Sequence, residues 1–567
     1  MNSELPARRP WLFGAAPDLL WGSGLAYLLV FALLLVAAPQ MRSLFPPWAM
    51  LIAIVFISMP HYGATLLRVY ERREERRAYA LFTVYATILL AAAFYWGIHS
   101  VLVGTVLFTL YLTWSPWHYT GQNYGIALMI LARRGITLTA SQKRLVYASF
   151  VLSFVVTFFF IHGQTTSIPY DAQMIQYYSL NINATAADLL LFVALLGYAV
   201  TLGGSLFSMF RQGGRDALSA AVLMLTQGVW FVVPALVRNW FPGVGVAILT
   251  NGWAAYAFTW IALGHALQYL WITAYFANAT TPTQRHRTFY AKALLVGCGI
   301  WTIPVLLFSP AAIGNLPYDI GLAATLAAVV NLHHFILDGA IWKLRHSRVA
   351  RILLKIKTEL SATTPEPAGA TWTWRLVAAG GALSIVIAVF GIFEQEFGLN
   401  RALASNDRAR AARAADRLAW IGQDSPTTWL SLGRLAFKDG ELDGAVAYLE
   451  NGVRVYDTTA GWMVLAEVRE ARRELPEAID AYLHSIALDN DNSLAKMLLA
   501  RAYASHGERQ RARWLLEEDE RNAEPGSLRY QRVRAELVAL LALEQQPSAS
   551  VSNTEEPSSV AASSESQ

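Results

Sequence analysis

The chain has very few of the side chains that form disulfides and thiolate metal sites. Cys298 is the single cysteine among 567 residues, so the chain forms no internal disulfide and no thiolate metal cluster. Its histidines also lack the HxxxH and HxxHH spacings of the tripartite histidine boxes of membrane desaturases. The net charge of +5 comes mainly from short loops between apolar runs, where membrane topology explains it, and we expect no nucleic-acid partner.

Apolar runs of about twenty residues fill the first four hundred positions or so. They are too many for one signal peptide, and each is long enough to cross a bilayer as a helix. We predict eleven spans, at residues 19–38, 48–68, 78–97, 101–132, 145–163, 187–210, 217–237, 245–276, 289–309, 318–342 and 374–394. The sequence therefore predicts an all-α chain in which residues 1–395 form a polytopic transmembrane domain.

Basic residues are distributed unequally among the loops between these spans. The loops after the even-numbered spans carry the arginines and lysines, whereas the opposite loops offer little beyond Arg42 and Arg238. The positive-inside rule then places the N-terminus, with Arg8 and Arg9, in the cytoplasm. An odd number of spans puts the chain after about residue 395 outside. We expect an integral protein of a bacterial inner membrane with an extracytoplasmic C-terminal domain.

Residues 396–545 have the pattern of amphipathic helices with an internal repeat. Equivalent positions recur at intervals of about 33 or 34 residues, as Trp429 and Trp462, Leu432 and Leu465, and Ala445, Ala478 and Ala512. The segments Trp429–Gly433 and Ala478–Tyr482 resemble the tetratricopeptide repeat. This resemblance implies a small α-solenoid that binds a protein partner. The Ser- and Glu-rich tail, residues 546–567, is expected to be disordered.

Five histidines lie at similar depth within the predicted spans. They are His61, His118, His265 and the adjacent pair His333 and His334, on the second, fourth, eighth and tenth spans. All four spans run in the same direction, and each histidine comes about seven to fifteen residues before the first cytoplasmic charge, which gives a spread of about 12 Å. Ionisable groups at this depth usually pair or hold a metal. We therefore predict that these histidines form a shared metal site.

Each of these helices carries a second polar residue about one turn after its histidine. The pairs are His61 with Thr65, His118 with Gln122, His265 with Gln268 and His334 with Asp338. Side chains three or four positions apart share a helix face. A metal-bound imidazole usually donates its other N–H to an amide, carbonyl or carboxylate, so we expect Gln122, Gln268 and Asp338 to orient the imidazoles.

Asp338 also makes His334 the favoured ligand of the adjacent pair, with His333 as the substitute. The same aspartate is the candidate catalytic residue of the site. Alternatively, Asp338 is a helix-end residue that pairs with Lys343 or Arg345. Unrelated structural roles for the separate histidines, and a proton or ion pathway, are the other interpretations of the pattern.

The ligand types limit the choice of metal. Imidazole nitrogens with one nearby carboxylate suit Fe(II), Zn or Cu, and the carboxylate-rich set expected for Mg or Ca is missing. We favour non-haem iron, because an open coordination position in an apolar cavity fits oxygen activation beside a lipid-soluble substrate. The aromatic candidates for the wall of this cavity are Trp114, Trp117, Tyr119, Tyr124, Trp271 and Trp342.

Two short motifs resemble a known family of membrane enzymes. They are the Pro-His-Tyr-Gly-Ala of residues 60–64 and the dipeptide Trp117-His118, in a chain with single histidines spread over separate spans. They look like the Brp/Blh-type carotene-cleaving dioxygenases. The resemblance implies one non-haem iron held by histidines from separate helices, and an isoprenoid substrate.

Three functions stay open from the sequence. The first is a membrane metalloenzyme that oxidises or cleaves a hydrophobic lipid or isoprenoid molecule. The second is a non-enzymatic scaffold whose repeat domain recruits an extracytoplasmic protein. The third is a proton-coupled transporter, in which a span broken around Ser115, Pro116 and Gly121 carries the buried histidine and aspartate.

Overall fold

The computed structural model describes residues 10–71, 76–77, 79–163, 173–240, 251–280, 286–342, 349, 352–353, 371–522 and 527–542. Within these ranges the chain contains helices and turns and no β-strand, which confirms the predicted all-α fold. The chain divides into two compact units, Met1–Ser425 and Pro426–Gln567. The tail expected to be disordered, residues 546–567, lies outside the described residues, as do Arg8, Arg9, Lys343 and Arg345.

Eight helical segments of the described chain have the length and apolar character needed to cross a membrane. They are Leu25–Leu44, Pro47–Tyr70, Leu81–His99, Ala140–His162, Ala184–Phe231, His286–Phe308, Tyr318–Ile341 and Trp372–Ala404. The segment Ala184–Phe231 contains two helices, Ala184–Gly213 and Leu218–Phe231, separated by a turn at Gly214, whose φ is 52°. These helices make the chain a membrane protein. The number of spans and their orientation stay predictions.

Two further long helices, Val101–Arg133 and Asn251–Thr280, are not among these eight segments. Both have lengths that would cross a bilayer, but polar side chains interrupt their apolar residues, and these include His118 and His265. The first is continuous through Pro116, whose carbonyl accepts a hydrogen bond from Thr120 Oγ1 at 2.7 Å. The break on which the transporter interpretation relied is therefore missing from this helix.

Four helices are named below by the histidine that each carries. The His61 helix is Pro47–Tyr70, the His118 helix is Val101–Arg133, the His265 helix is Asn251–Thr280 and the His334 helix is Tyr318–Ile341. The first contains a π-helical segment, Ile54–Ser58, and the last begins with another, Tyr318–Leu322. Such segments occur frequently at functional sites, because they change the direction in which the following side chains point.

Two glycines bring the His61 helix into backbone contact with the helix His286–Phe308. A Cβ atom added to Gly63 would lie 1.9 Å from the carbonyl oxygen of Ala293. A Cβ added to Gly297 would lie 2.0 Å from the carbonyl oxygen of Met59. Only glycine leaves room for this approach at either position. The contact fixes the His61 helix one turn or less from His61 itself.

The second unit consists of successive helices joined by short turns. They are Pro426–Lys438, Leu442–Val455, Thr459–Ala471, Leu475–Leu488, Ser493–His506, Arg509–Asn522 and Leu528–Ala542. The recurring small residues Ala445, Ala478 and Ala512 are completely buried where neighbouring helices meet. This burial agrees with the repeat seen in the sequence. The solenoid and the tetratricopeptide resemblance stay predictions.

The turns of this unit repeat a backbone feature at the same interval. Gly440, Arg473 and Gly507 have φ values of 80°, 64° and 91°, and each ends the turn between two helices. The left-handed conformation suits glycine and costs a side-chain-bearing residue about 1–2 kcal/mol. Arg473 is thus the strained member of the series, and its side chain is exposed.

Replacing Arg473 by glycine is expected to stabilise the second unit. Relief of the left-handed strain stabilises the folded chain by more than the greater conformational entropy of glycine stabilises the unfolded chain. We expect the free energy of unfolding to rise by about 0.5–1 kcal/mol. Hydrogen exchange on the full chain should show slower exchange in the helices Thr459–Ala471 and Leu475–Leu488. The matched control, Gly440→Ala, places a side chain at a left-handed position and should make exchange faster in the helices that this turn joins. Faster exchange in Arg473→Gly would contradict this explanation.

Candidate metal centre

Four buried histidines from four different helices meet in the interior of the first unit. His61, His118, His265 and His334 are 3%, 9%, 2% and 3% exposed. The ring centroid of His118 lies 5.2 Å from that of His265 and 4.8 Å from that of His334. The ring of His61 lies 5.4 Å from that of His265 and 4.5 Å from that of His334. The four imidazoles therefore share one centre.

Two groups of side chains place their ligand atoms close enough to hold a metal ion. In the first group His61, His265 and His334 each offer one atom, and these atoms lie within 4.8 Å of one another. In the second group His118, His334 and Asp338 do the same. Nε2 of His334 lies 3.1 Å from Nε2 of His61 and 3.5 Å from Oδ2 of Asp338. Because this nitrogen is close to a member of each group, we treat the two groups as a single centre.

The distance between the His61 and His334 nitrogens fits two ligands of one metal. Metal–nitrogen bonds of about 2.0–2.1 Å, at angles between those of octahedral and tetrahedral sites, separate neighbouring ligand atoms by about 2.8–3.4 Å. The Nε2 atoms of His61 and His334 are 3.1 Å apart. A hydrogen bond accounts for this distance only if His334 Nε2 carries the proton and donates to His61 Nε2.

The other ring nitrogens of these two histidines have partners that fix their orientation. Nδ1 of His61 donates to the carbonyl oxygen of Ser58 at 2.6 Å, at the end of the π-helical segment. Nδ1 of His334 is 2.9 Å from the hydroxyl oxygen of Thr65. Both contacts leave Nε2 pointing into the centre, as is usual for imidazoles that bind a metal.

Asp338 is held in place by a hydrogen-bond network. Its Oδ1 accepts a hydrogen bond from Tyr269 OH at 2.8 Å and lies 3.3 Å from Thr65 Oγ1. Tyr269 OH in turn accepts from Nε1 of Trp342 at 3.2 Å. Asp338 is 7% exposed, and its Oδ2 is turned toward His334 and His118. One carboxylate oxygen thus faces the imidazoles while the other is anchored.

Several buried ring nitrogens at this centre have no hydrogen-bond partner among the described residues. They are both ring nitrogens of His265 and Nε2 of His118, whose nearest carboxylate oxygen, on Asp338, is 3.9 Å away. The rings are held by stacking, His265 on Tyr119 at 3.9 Å and His118 on Phe335 at 4.4 Å. A buried polar atom without a partner costs about 1–3 kcal/mol. A metal ion at the centre would supply a partner to one ring nitrogen of His265, and a metal ion or a bound molecule would supply one to Nε2 of His118.

The structure does not bring every predicted site residue to this centre. His333 belongs to neither group of ligand atoms in the described chain, and its Nε2 lies 2.8 Å from Thr87 Oγ1 and 3.4 Å from Tyr70 OH. Adjacent residues on a helix point about 100° apart, so His333 and His334 face different neighbours. His333 therefore lies away from the other four histidines.

Gln122 and Gln268 bond to each other instead of to the imidazoles. Gln122 Nε2 donates to Gln268 Oε1 at 2.7 Å, and Gln268 Nε2 donates to the carbonyl oxygen of Gly22 at 2.9 Å. The partners expected within each helix are thus formed between helices. Thr65, for example, contacts the ring of His334. Its hydrogen bond to His61 goes to the backbone carbonyl and not to the ring.

An apolar cavity of about 300 Å³ adjoins the centre. Its wall includes the polar side chains of His118, Asp338, Tyr269 and Gln122. Of the aromatic residues predicted to line it, Trp114, Trp117 and Trp342 do so. Tyr119 instead stacks on His265, Tyr124 contacts Phe150, and Trp271 donates to Asp18.

The residue that the sequence interpretation missed is Tyr269. It lies four positions after His265 and therefore on the same helix face, beside the chosen Gln268. Its hydroxyl group anchors Asp338, and its side chain also lines the cavity. The rule of one helical turn could have found it, because both the third and the fourth position after a histidine share its face.

Comparison with protein-family models, with curated proteins and with solved structures finds no match to this chain. The chemistry of the centre therefore rests on its own geometry. A buried set of imidazoles with one carboxylate, beside an apolar cavity, is able to hold a metal ion within reach of a hydrophobic molecule.

Proposed function

We propose that this protein is an integral membrane metalloenzyme that holds a non-haem iron and oxidises a hydrophobic lipid or isoprenoid molecule with dioxygen. The observation that supports it most is the set of unpartnered, buried nitrogens of His118 and His265 facing the close pair His61 and His334. The adjoining cavity gives such a centre access to an apolar substrate.

The donor set favours iron among the metals that imidazole binds. Imidazole with a single carboxylate suits Fe(II), Zn and Cu, whereas Mg and Ca prefer oxygen ligands. The thiol of Cys298, which would favour softer metals, is buried near the carbonyl of Val55 and belongs to neither ligand group. Zinc and copper remain the alternatives. Iron bound here would supply the activation of dioxygen.

The residues around the centre divide into three roles. His61, His265 and His334 bind the metal, while Ser58 and Thr65 hold two of these rings in position. The remaining donors, His118 and Asp338, belong to the second ligand group with His334, and both line the cavity wall. They are the groups closest to a bound substrate and the candidates for contact with it.

The cavity wall explains how water would be kept from the reaction. Apart from its few polar groups it consists of aliphatic and aromatic side chains, including Ile126, Met129, Ile272 and Phe335. A site without bulk water protects reactive species and strengthens electrostatic contacts. The short motifs that resemble carotene-cleaving dioxygenases support an isoprenoid substrate.

The proposed location is the inner membrane of a bacterium, with the second unit outside the cytoplasm. Basic residues of the described chain that belong to the predicted cytoplasmic side are Arg68, Arg76, Arg77, Arg133, Arg134, Lys143, Arg144, Arg211, Arg215, Arg287 and Lys292. The excess of arginine and lysine on one side supports this orientation. It also places the histidines nearer the cytoplasmic leaflet.

Oxygen uptake by the purified protein tests the proposed activity. The full chain, reconstituted in lipid nanodiscs and loaded with Fe(II), should consume dioxygen when β-carotene or farnesol is added. The variant His265→Ala, which loses a proposed ligand, should not. Absence of uptake with both isoprenoids, or equal uptake by His265→Ala, would contradict the proposal.

A further inference from the structure

The cavity beside the metal centre extends along the His118 helix. Five of its lining residues, Trp114, His118, Gly121, Gly125 and Met129, follow one another along a single face of this helix. At 1.5 Å per residue this row covers about 22 Å. We call this elongated space the slot.

Three glycines form part of the wall of this slot. They are Gly121 and Gly125 on the His118 helix and Gly339 on the His334 helix. A Cβ atom added to any of them would meet nothing within 4 Å. This separates them from Gly63 and Gly297, which are needed for the close approach of two helices. Packing between the described residues gives no reason for glycine at the three positions.

Glycine in the middle of a helix destabilises it by about 0.5–1 kcal/mol relative to alanine. Gly203, in the helix Ala184–Gly213, is the other α-helical glycine of the described chain whose added Cβ would meet nothing, and it lies outside the cavity. Three of these four unrestrained glycines thus border one cavity. Their common effect is to keep space free along the slot.

Polar atoms without partners stand at one end of the slot. His118 is nine-tenths buried, its Nε2 has no hydrogen-bond partner in the described chain, and its side chain lines the slot. Oε1 of Gln122, one turn further along, also has no hydrogen-bond partner in the described chain, and this partly buried side chain lines the slot as well. Beyond Gly125 the wall is formed by apolar side chains, including Ile126, Met129 and Ile272. A ligand that fits has its reacting part at His118 and an apolar remainder.

Building on the function proposed above, we propose that the slot binds a chain-shaped hydrophobic molecule that extends along the His118 helix from the metal centre toward Met129. Gly121, Gly125 and Gly339 determine its specificity, because a side chain at any of them would occupy the path of the ligand. A linear isoprenoid or acyl chain meets this description. A compact polycyclic molecule such as a sterol does not.

Photolabelling of the full chain in nanodiscs tests the proposal. The probe is a farnesol analogue with a diazirine at the end remote from the hydroxyl group. It should label Ile126, Met129 or Ile272 in the unmodified protein, and Gly125→Leu should reduce this labelling to background. The matched control, Gly203→Leu, makes the same change at a helical glycine outside the cavity and should label normally. A photoreactive sterol should not label these residues.

A second variant on another helix guards against misfolding. Gly339→Leu should also abolish labelling, and each variant is compared by helix content and by its bound metal, which should match the unmodified protein. If Gly125→Leu and Gly339→Leu were labelled as strongly as the unmodified protein, the proposal would be overturned. Strong labelling of the same residues by the sterol would also overturn it. If glycine-dependent labelling occurs in a protein without metal, the slot holds and the enzymatic function fails. If the protein binds metal but the leucine variants are labelled like the unmodified protein, the proposed slot fails while the proposed metal centre stands.

Discussion

Replacing His334 by alanine is expected to remove the metal from the protein, whereas replacing its neighbour His333 leaves the metal in place. His334 belongs to both groups of ligand residues, and its Nε2 lies 3.1 Å from Nε2 of His61 and 3.5 Å from Oδ2 of Asp338. Without it no described group retains three donors. The ring of His333 contacts Thr87 and Tyr70 instead, so His333→Ala deletes a hydrogen bond and no metal ligand.

The comparison is made by elemental analysis of the full chain purified in parallel. We expect about one ion per chain in the unmodified protein and in His333→Ala, since the two ligand groups share His334, and background in His334→Ala. Because the two positions are adjacent and both lie in the same helix, expression and insertion should be comparable. Equal metal in both variants would mean that the metal binds elsewhere.

Replacing Gly63 by alanine is expected to destabilise the first unit and to displace His61. The added Cβ would lie 1.9 Å from the carbonyl oxygen of Ala293, which is backbone and cannot rotate away. The two helices must separate by about 1 Å or more, and overpacking of this kind costs about 1–3 kcal/mol. Metal–ligand distances tolerate only about 0.2 Å, so the position of His61 beside His334 would be lost.

The measurement combines thermal unfolding with metal content in nanodiscs. Gly125→Ala is the matched control, because its added Cβ meets nothing within 4 Å and alanine favours the helix by about 0.5–1 kcal/mol. We expect Gly63→Ala to unfold at a lower temperature and to hold less metal than Gly125→Ala. Identical behaviour of the two variants would show that the contact of the His61 helix with Ala293 does not determine the centre.

Much of this arrangement could be predicted from the order of residues alone. Apolar runs and loop charges place His61, His118, His265 and His334 at one depth on separate helices, and helical periodicity puts Asp338 on the face of His334. All of these properties depend only on the spacing of residues along the chain. The structure brings the four imidazoles and the carboxylate together as this reasoning expects.

What could not be predicted depends on how each helix is rotated against its neighbours. Thr65 follows His61 in sequence but contacts the ring of His334, and Gln122 and Gln268 pair with each other. Spacing along one helix does not say which neighbouring helix a polar group meets.

Hydropathy also has a physical limit in helices that carry a site. The His118 and His265 helices are long enough to span a membrane but are less apolar than the eight candidate spans. A helix in the interior of a bundle meets protein on most sides, so its polar residues find partners there without contact with lipid. Average hydropathy therefore understates the membrane character of the helices on which the centre is built.

X-ray absorption spectroscopy at the metal edge of the purified full chain tests the central claim most directly. We expect an iron edge, nitrogen or oxygen ligands at about 2.0–2.2 Å, and the outer-shell scattering typical of several imidazoles. The signal should disappear in His334→Ala and persist in His333→Ala. A protein that binds no metal after reconstitution with Fe(II), Zn or Cu, or a spectrum without imidazole scattering, would contradict the account.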